Sequence, residues 1–103
     1  MEEINKNELV MERLKSVEHP EIALSLVDLG MILDVVVDQN IARIAIALPV
    51  INVPLVVRKA IEKNISDAIS AIGLEIQTEY FEMAPELKDE FFANARENWK
   101  GAI

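Results

Sequence analysis

Apolar residues recur three or four positions apart in three stretches of the chain, which is the spacing of one face of an α-helix. These stretches predict helices from Asn7 to about Val17, from Val53 to Ile72 and from Pro85 to Lys100. Prolines suit the first turns of the second and third helices, and Gly73 and Gly101 are expected to end them.

Residues with capping chemistry lie at the expected helix ends. Asn5 or Asn7 can cap the first helix, and Asn52 can cap the long one. Pro20 suits the first position of an additional short helix, which Gly30 ends by adopting the positive φ of a helix-to-strand turn. The apolar residues of this short helix are expected to be buried: Ile22, Leu24, Leu26 and Val27.

Three stretches rich in β-branched or alternating residues predict strands. Met31 to Val37 and Ile41 to Leu48 flank a polar turn from Asp38 to Asn40, which predicts an antiparallel hairpin. Leu74 to Phe81 alternates between apolar and polar residues, as a half-buried strand does. The hairpin residues expected to face the core are Leu33, Val35 and Val37 on the first strand and Ile44, Ile46 and Leu48 on the second.

The order of these elements predicts an α/β (α+β) domain with two layers. Its elements follow one another as α-β-β-α-β-α, with helices covering a three-stranded mixed sheet. Because the long helix connects two strands, the third strand should run parallel to one strand of the hairpin. We expect a single domain over residues 1–103, and the open edges of so small a sheet favour a homodimer.

The composition excludes several functional classes. The chain has 103 residues and no cysteine, so it forms neither a disulfide nor a thiolate metal site. Its net charge of −8 opposes binding to the phosphates of nucleic acids and to anionic membranes. Its first residues lack the pattern of a secretion signal, and no apolar stretch reaches the ~20 residues of a membrane-spanning helix. We therefore expect a cytoplasmic protein that binds neither nucleic acid nor membranes.

Few residues offer catalytic chemistry. The chain has no glycine-rich phosphate loop and no recognisable serine–histidine–aspartate arrangement. His19 is the only histidine, and one histidine without cysteine is a poor ligand set for zinc or an iron–sulfur cluster. A turn or cap role is expected for it. Phe91 is expected in the core, whereas Trp99 fits the core and a partner-binding surface equally well. We predict a protein that is not an enzyme and holds no cofactor.

Two carboxylates allow two interpretations. Glu21 and Asp28 could lie together beside the loop from Asn52 to Pro54, as a polar pocket for a metal ion or a partner. Alternatively, Glu21 belongs to a first helical turn and Asp28 bonds backbone groups at the turn before the strand. The second interpretation is favoured, and the two are compatible.

Two motifs carry a resemblance to a known family. The residues His19-Pro20-Glu21-Ile22 are similar to an Asp-Pro-Glu-Ile motif, and those from Leu26 to Ile32 match an Ile-Val-Asp-Leu-Gly-Leu-Val motif. Both motifs are typical of the MIP18 (DUF59) family, whose known members serve iron–sulfur cluster assembly. The hairpin, the long helix and the third strand follow in the family's order, so the resemblance covers nearly the whole chain.

One difference from the family concerns its proposed chemistry. The family commonly has Thr-x-x-x-Cys-Pro before the long helix, and its cysteine is credited with cluster handling. Aligned on Pro54, this chain has Pro49 in place of the threonine and Val53 in place of the cysteine. A helix N-terminus would lower the pKa of a thiol and make it a good ligand, whereas valine has no ligand atom. The family's role is expected to carry over without this chemistry.

The resemblance implies a non-enzymatic accessory or adaptor protein of iron–sulfur cluster assembly or metal–sulfur cofactor maturation, acting through protein–protein binding. Its partners would be iron–sulfur assembly proteins such as a P-loop cluster-carrier ATPase, to which the same domain type resembles a fused module. The alternative is a cluster or metal carrier whose missing ligands come from a dimer or a partner. A KH-like nucleic-acid binder and a carboxylate-only enzyme fit least, because neither a Gly-x-x-Gly clamp nor a catalytic constellation is present. The predicted functional surface consists of Glu21, Asp28, Gly30, Asn52, Val53, Pro54 and Trp99.

Overall fold

Three helices and a three-stranded mixed sheet make up the structure, which confirms the predicted fold class. The structure is a computed structural model and describes residues 5–101. Its elements are α1 (Lys6–Leu14), β1 (Ile32–Asp38), β2 (Ile41–Leu48), α2 (Leu55–Ser70), β3 (Glu75–Glu82) and α3 (Pro85–Glu97). None of the helices in this part of the chain is long and apolar enough to span a bilayer.

Strand β2 lies in the middle of the sheet. It pairs antiparallel with β1 and parallel with β3, so the strand order is β1-β2-β3. The hairpin turns at Gln39 and Asn40, and Gln39 adopts a φ of 57°. The parallel pairing follows from α2, which returns the chain from the end of β2 to the end of the sheet where β2 starts. The first residue of β3, Glu75, therefore pairs with the first residue of β2, Ile41. The prediction that the third strand runs parallel to a hairpin strand is confirmed.

The core lies between one face of the sheet and the helices α1 and α2. The long helix buries every fourth residue, namely Val57, Ile61, Ile65 and Ile69, whereas Ala68 and Ile72, which were expected in its apolar stripe, are only partly buried. The sheet opposes the helix with four buried residues of β2, namely Ala42, Ile44, Ile46 and Leu48, and with Val35 of β1. Val10 and Leu14 of α1 complete this layer. Burial of apolar side chains on one face of each element accounts for the two-layer arrangement.

The first strand departs from its predicted alternation at one residue. Leu33 was expected to face the core, but it is half-exposed, so this prediction is wrong. The register of β1 shifts between Ile32, which pairs with Ile46, and Asp34, which pairs with Ala45. The extra residue of such a bulge has no cross-strand partner and leaves the regular alternation. From Asp34 onward the alternation resumes, and Val35 is buried as predicted.

The predicted short helix after Pro20 is not formed, so that prediction is wrong. The segment instead makes isolated bridges, in which Glu18 pairs with Ser25 and Ile22 with Trp99. Only one turn follows, and the N–H of Met31 closes it by donating to the carbonyl of Leu26.

Gly30 ends this turn with the positive φ that the sequence predicts. Its φ is 73°, and its N–H donates to the carbonyl of Val27, which together with the Met31–Leu26 bond forms a Schellman motif. A methyl group at this position would also lie 2.6 Å from Cδ1 of Leu87. Gly30 therefore allows the turn and α3 to approach closely.

Three predicted helix ends are the start of α1, the start of α2 and the end of α3, and only the first is confirmed. Asn5 caps α1, because its side chain accepts hydrogen bonds from the N–H groups of Asn7 and Glu8. Asn52 does not cap α2, contrary to the prediction, because Pro54 takes the cap position and makes no side-chain bond. The third helix ends at Glu97 rather than Lys100, since the residues after it leave the helix to pair with the turn after α1.

The two outer edges of the sheet differ in their exposed hydrogen-bonding groups. On β1, the N–H of Val35 donates to Asp34 Oδ1 (2.9 Å) and the N–H of Val37 donates to Asn7 Oδ1 (2.8 Å). These bonds occupy donors that a second chain would need for pairing, which is a known way to protect an edge. Strand β1 is thus partly protected against pairing with a second chain.

The homodimer stays a prediction, and β3 is the edge expected to form it. Its exposed glutamates, Glu75, Glu79 and Glu82, would face like charges in a second copy, so raising the salt concentration should strengthen the dimer. Light scattering at low and high salt measures this. A mass that stays at the monomer value of 11.6 kDa at high protein concentration, at both salt concentrations, would contradict the predicted dimer.

Truncation of a buried residue of α2 tests the core. Ile65 is fully buried, so we expect Ile65→Ala to lower the free energy of unfolding by about 2–4 kcal/mol. The adjacent Ser66 is exposed, and Ser66→Ala should change this free energy by less than about 0.5 kcal/mol. Urea unfolding followed by circular dichroism measures both. Equal effects of the two substitutions would show that the register of the helix is wrong.

Candidate functional site

An apolar groove lies between the turn after α1, the start of α2 and the helix α3. Its volume is about 270 Å³, and twelve of its fourteen lining residues are apolar. His19 and Glu21 are the polar ones. The apolar lining residues are Ile22, Met31, Leu48, Pro49, Val53, Pro54, Val57, Ile61, Phe91, Phe92, Ala95 and Trp99. We call this cavity the α3 groove.

The loop between β2 and α2 forms one wall of the α3 groove. Buried Leu48 ends β2, and the chain then turns through Pro49 before α2 begins at Leu55. The carbonyl of Pro54 accepts hydrogen bonds from the N–H groups of Val57 (3.0 Å) and Arg58 (3.2 Å), which starts the helix. Val53 is partly buried at this point and lines the groove.

His19 holds the turn after α1 in place. Its ring is buried, and Nδ1 accepts a hydrogen bond from the N–H of Glu21 at 2.9 Å. An aspartate would make the same bond with a carboxylate oxygen, which is the usual side-chain turn of Asp and Asn. The ring also meets Phe91 of α3 edge-on, with 6.3 Å between ring centroids. The expected turn role of His19 is confirmed, and the residue also lines the groove.

The protonation state of His19 follows from these contacts. Because Nδ1 accepts a hydrogen bond from the Glu21 N–H, the neutral ring carries its proton on Nε2. Burial, and next the nearby Lys100 ammonium group, lower the pKa of His19 from 6.5 to about 4. The folded protein therefore keeps this side chain neutral at pH 7.

The residues after α3 attach this helix to the turn after α1. The N–H of Ala23 donates to the carbonyl of Asn98 (2.8 Å), and the N–H of Lys100 donates to the carbonyl of Glu21 (2.9 Å). These bonds flank the bridge between Ile22 and Trp99. They use the backbone, so the Trp99 side chain stays free and is 54% exposed beside the groove.

The structure brings together only part of the predicted functional surface. Of the seven predicted residues, Glu21, Val53, Pro54 and Trp99 line the α3 groove. The other three, Asp28, Gly30 and Asn52, are not among its lining residues. Asp28 is exposed, and the bond found there is from its backbone N–H to Ser25 Oγ, so the predicted bonds from its side chain to backbone groups are not seen. Glu21 lies outside any helix, so its predicted place in a first helical turn is wrong. Over residues 5–101, the structure has no group of three or more His, Cys, Asp or Glu side chains able to hold a metal ion.

Ten of the fourteen lining residues were not in the predicted surface, and two of these ten, His19 and Phe92, bear on its chemistry. His19 was assigned only a turn role, although a buried histidine can also form a wall of a site. Phe92 neighbours the buried Phe91 and is 41% exposed, with the two rings packed edge-to-face at 5.7 Å. Two adjacent aromatic residues on a helix point to different sides, so one of them was available for an exposed groove.

Comparison with models of protein families identifies the family of the chain. A family model described as "Iron-sulfur cluster assembly protein" matches residues 7–78, which is more than half of the chain. The chain belongs to the iron–sulfur cluster assembly protein family. This membership confirms the resemblance seen in the motifs, and the absence of cysteine makes the chain a variant of the DUF59 type. The helix α3 lies beyond the matched residues.

A solved structure has the same fold. It is a domain of unknown function DUF59 from Bacillus anthracis, 22% identical in sequence, with a TM-score of 0.61. The match covers 84% of this chain and 89% of that one. At this identity the likeness establishes the fold alone. No curated protein matches the chain.

The neutral state of His19 predicts a pH-dependent stability. Since folding lowers the pKa of His19, the stabilisation is complete above about pH 6.5 and is lost as the pH falls towards 4. We expect the free energy of unfolding to fall by about 2–3 kcal/mol more in the wild type than in His19→Asn between pH 7 and pH 4.5. Asparagine accepts the same backbone bond without titrating. Urea unfolding at both pH values measures the difference, and equal losses would contradict the role of His19.

Proposed function

We propose that the chain is a non-enzymatic, cytoplasmic accessory protein of iron–sulfur cluster assembly that acts by binding other assembly proteins. Family membership supports the process, and the α3 groove supports the mode of action. The observation that carries the proposal is Val53, which lies in an apolar groove at the start of α2. The family's cysteine would stand at this position.

The groove has little capacity to ligate a cluster. Val53 has no ligand atom, and Nδ1 of His19 is occupied by the Glu21 N–H. The Glu21 carboxylate is the remaining ligand-type group among the lining residues. Iron in these clusters is held mainly by thiolates, which the chain lacks. The cluster is therefore proposed to pass between partners of this protein, without binding in its groove.

The shape and chemistry of the groove suit apolar side chains of another protein. Its volume of about 270 Å³ is slightly below the range of about 300–1,000 Å³ for cavities that hold whole small molecules. The rim carries two exposed aromatic residues, Phe92 and Trp99, and aromatic residues are common energetic centres of protein interfaces. We infer that an apolar segment of a partner inserts between α3 and the β2–α2 loop.

Family membership supports a partner from the assembly machinery. A P-loop cluster-carrier ATPase is our proposed partner, because modules resembling this domain are fused to such enzymes. A separate chain with the same fold would then make in trans the contact that a fused module makes within one protein. Insertion of an apolar segment from the ATPase into the α3 groove would bring the two proteins together.

Restoring a thiol at position 53 tests the non-ligating role. Valine and cysteine are close in size, so Val53→Cys should fold normally, and the helix start should lower the pKa of the new thiol. We expect Val53→Cys to take up iron and sulfide during anaerobic reconstitution and the wild type to take up none. Visible absorption and metal analysis measure the uptake.

A matched variant separates this effect from the mere presence of a thiol. Val50 lies in the same loop and is partly exposed, but it does not line the groove, so Val50→Cys should take up less iron. Uptake by the wild type equal to that of Val53→Cys would contradict the proposal. It would favour the second candidate, a cluster or metal carrier that uses Glu21 together with ligands from a second copy or a partner.

Truncation of Trp99 tests the binding role. The Trp99 side chain is exposed and the strap to the turn uses backbone atoms, so Trp99→Ala should leave the fold intact. Loss of a central aromatic contact should weaken binding to a purified P-loop cluster-carrier ATPase at least tenfold, or by about 1.4 kcal/mol. Isothermal titration calorimetry measures the affinity.

An exposed apolar residue elsewhere provides the control. Leu33 of β1 is 51% exposed and does not line the α3 groove, so Leu33→Ala should leave this affinity unchanged. An unchanged affinity of Trp99→Ala would place the contact outside the groove.

A further inference from the structure

The face of the sheet that points away from α2 is exposed and forms a shallow trough. Its volume is about 570 Å³. The floor is the central strand β2, where Ala45 has a short side chain. Two exposed apolar residues lie on either side of β2, Val36 on β1 and Phe81 on β3. We call this surface the outer face.

Carboxylates flank the outer face on both sides. In the strand register, Asp34 of β1 lies beside Ala45, which in turn lies beside Glu79 of β3. The same arrangement recurs four residues along, where Asp38 and Glu75 lie on either side of Ile41 at the other end of the face. All four carboxylates are exposed. In each of these two rows a small or apolar residue of β2 therefore lies between two carboxylates, and Arg43 lies between the rows.

The dimensions of the outer face fit one helix. Strands are spaced about 4.8 Å apart, so the outer strands of a three-stranded sheet are about 10 Å apart, close to the diameter of an α-helix. A strand of eight residues is about 27 Å long, which a helix of about 18 residues matches. A three-layer arrangement, with a helix on each face of the sheet, is a common solution for burying both faces.

The negative charge of the outer face favours a positively charged binding partner. Four carboxylates stand against one guanidinium group, that of Arg43 at the centre. A second copy of this chain would bring the same excess of negative charge, and a nucleic acid would bring phosphates, so both are disfavoured. A helix with an apolar stripe and lysine or arginine residues on both sides would complement the face in shape and in charge.

We propose that the outer face binds a basic amphipathic helix of a partner protein. Its apolar stripe contacts Val36, Ala45 and Phe81, and its basic side chains pair with the carboxylates on the two sides. This site lies on the opposite side of the sheet from the residues that α2 covers, and it shares no lining residue with the α3 groove.

A synthetic peptide tests the proposal. The probe is a helix-forming peptide of about 18 residues with leucines on one face and lysines on both flanks, and its counterpart has glutamates in place of the lysines. Titration into the isotope-labelled protein should shift the amide signals of Val36, Ala45 and Glu79, whereas those of Val53 and Trp99 should not move. The glutamate peptide should not bind.

Variants make the test specific. Ala45→Gln fills the trough without changing charge and should weaken lysine-peptide binding by about tenfold or more. The pair Asp34→Asn and Glu79→Gln should weaken it by about three- to tenfold. The pair Asp89→Asn and Glu90→Gln removes the same charge from exposed positions of α3 and should have little effect.

Three outcomes would overturn the proposal. Equal weakening by the two double variants would show diffuse attraction to an acidic protein. Signal shifts confined to Val53 and Trp99 would place the peptide in the α3 groove, and absence of binding at millimolar concentration would show that the face does not accept a basic helix. Each of these outcomes leaves the role of the groove in binding assembly proteins independently testable.

Discussion

The pairing of β2 on both of its edges is the constraint on which both surfaces of this protein depend. Its buried face, with Ile44 and Ile46 at the centre, holds α2 against the sheet. Its last residue, Leu48, leads into the loop that places Val53 at the wall of the α3 groove. Its other face, with Ala45, is the floor of the exposed trough. One strand thus positions the groove at its end and the trough on its side.

The α3 groove depends in addition on the attachment of α3 by the residues that follow it. Two backbone hydrogen bonds and the contact between His19 and Phe91 fix this helix near the turn after α1. The helix lies outside the residues matched by the family model. This chain therefore combines the family's central part, which lacks a ligating residue at position 53, with an apolar wall supplied by α3. Valine at position 53 and the aromatic rim are the two features on which the proposed protein-binding role rests.

Local sequence patterns predicted most of the fold, because they report directly on which face of an element is buried. The alternation of β3 and the stripe of α2, including Ile61 and Ile65, arise from periodic burial that neighbouring residues reveal. The short helix after Pro20 was predicted wrongly because the bridge from Ile22 to Trp99 joins residues far apart in the chain. The bulge at Leu33 depends on strand pairing, which a single strand's pattern does not contain.

The candidate site was predictable to a smaller extent. The family motifs pointed to Glu21 and Val53, and the aromatic stripe of α3 pointed to Trp99, all of which line the groove. The same motifs also pointed to Asp28 and Gly30, which shape the turn and lie outside the lining residues. Motifs of a family mix residues that form a site with residues that fold the chain around it, and only their positions in space separate the two.

We propose that the α3 groove is a surface for binding an assembly protein. Hydrogen–deuterium exchange of the chain, alone and bound to a purified P-loop cluster-carrier ATPase, tests it most directly, because exchange locates the contact without any substitution. We expect slower exchange in the complex for residues 49–57 and 90–100, with little change in β1. Complex formation that leaves both of these segments unchanged, with slower exchange elsewhere in the chain, would contradict it.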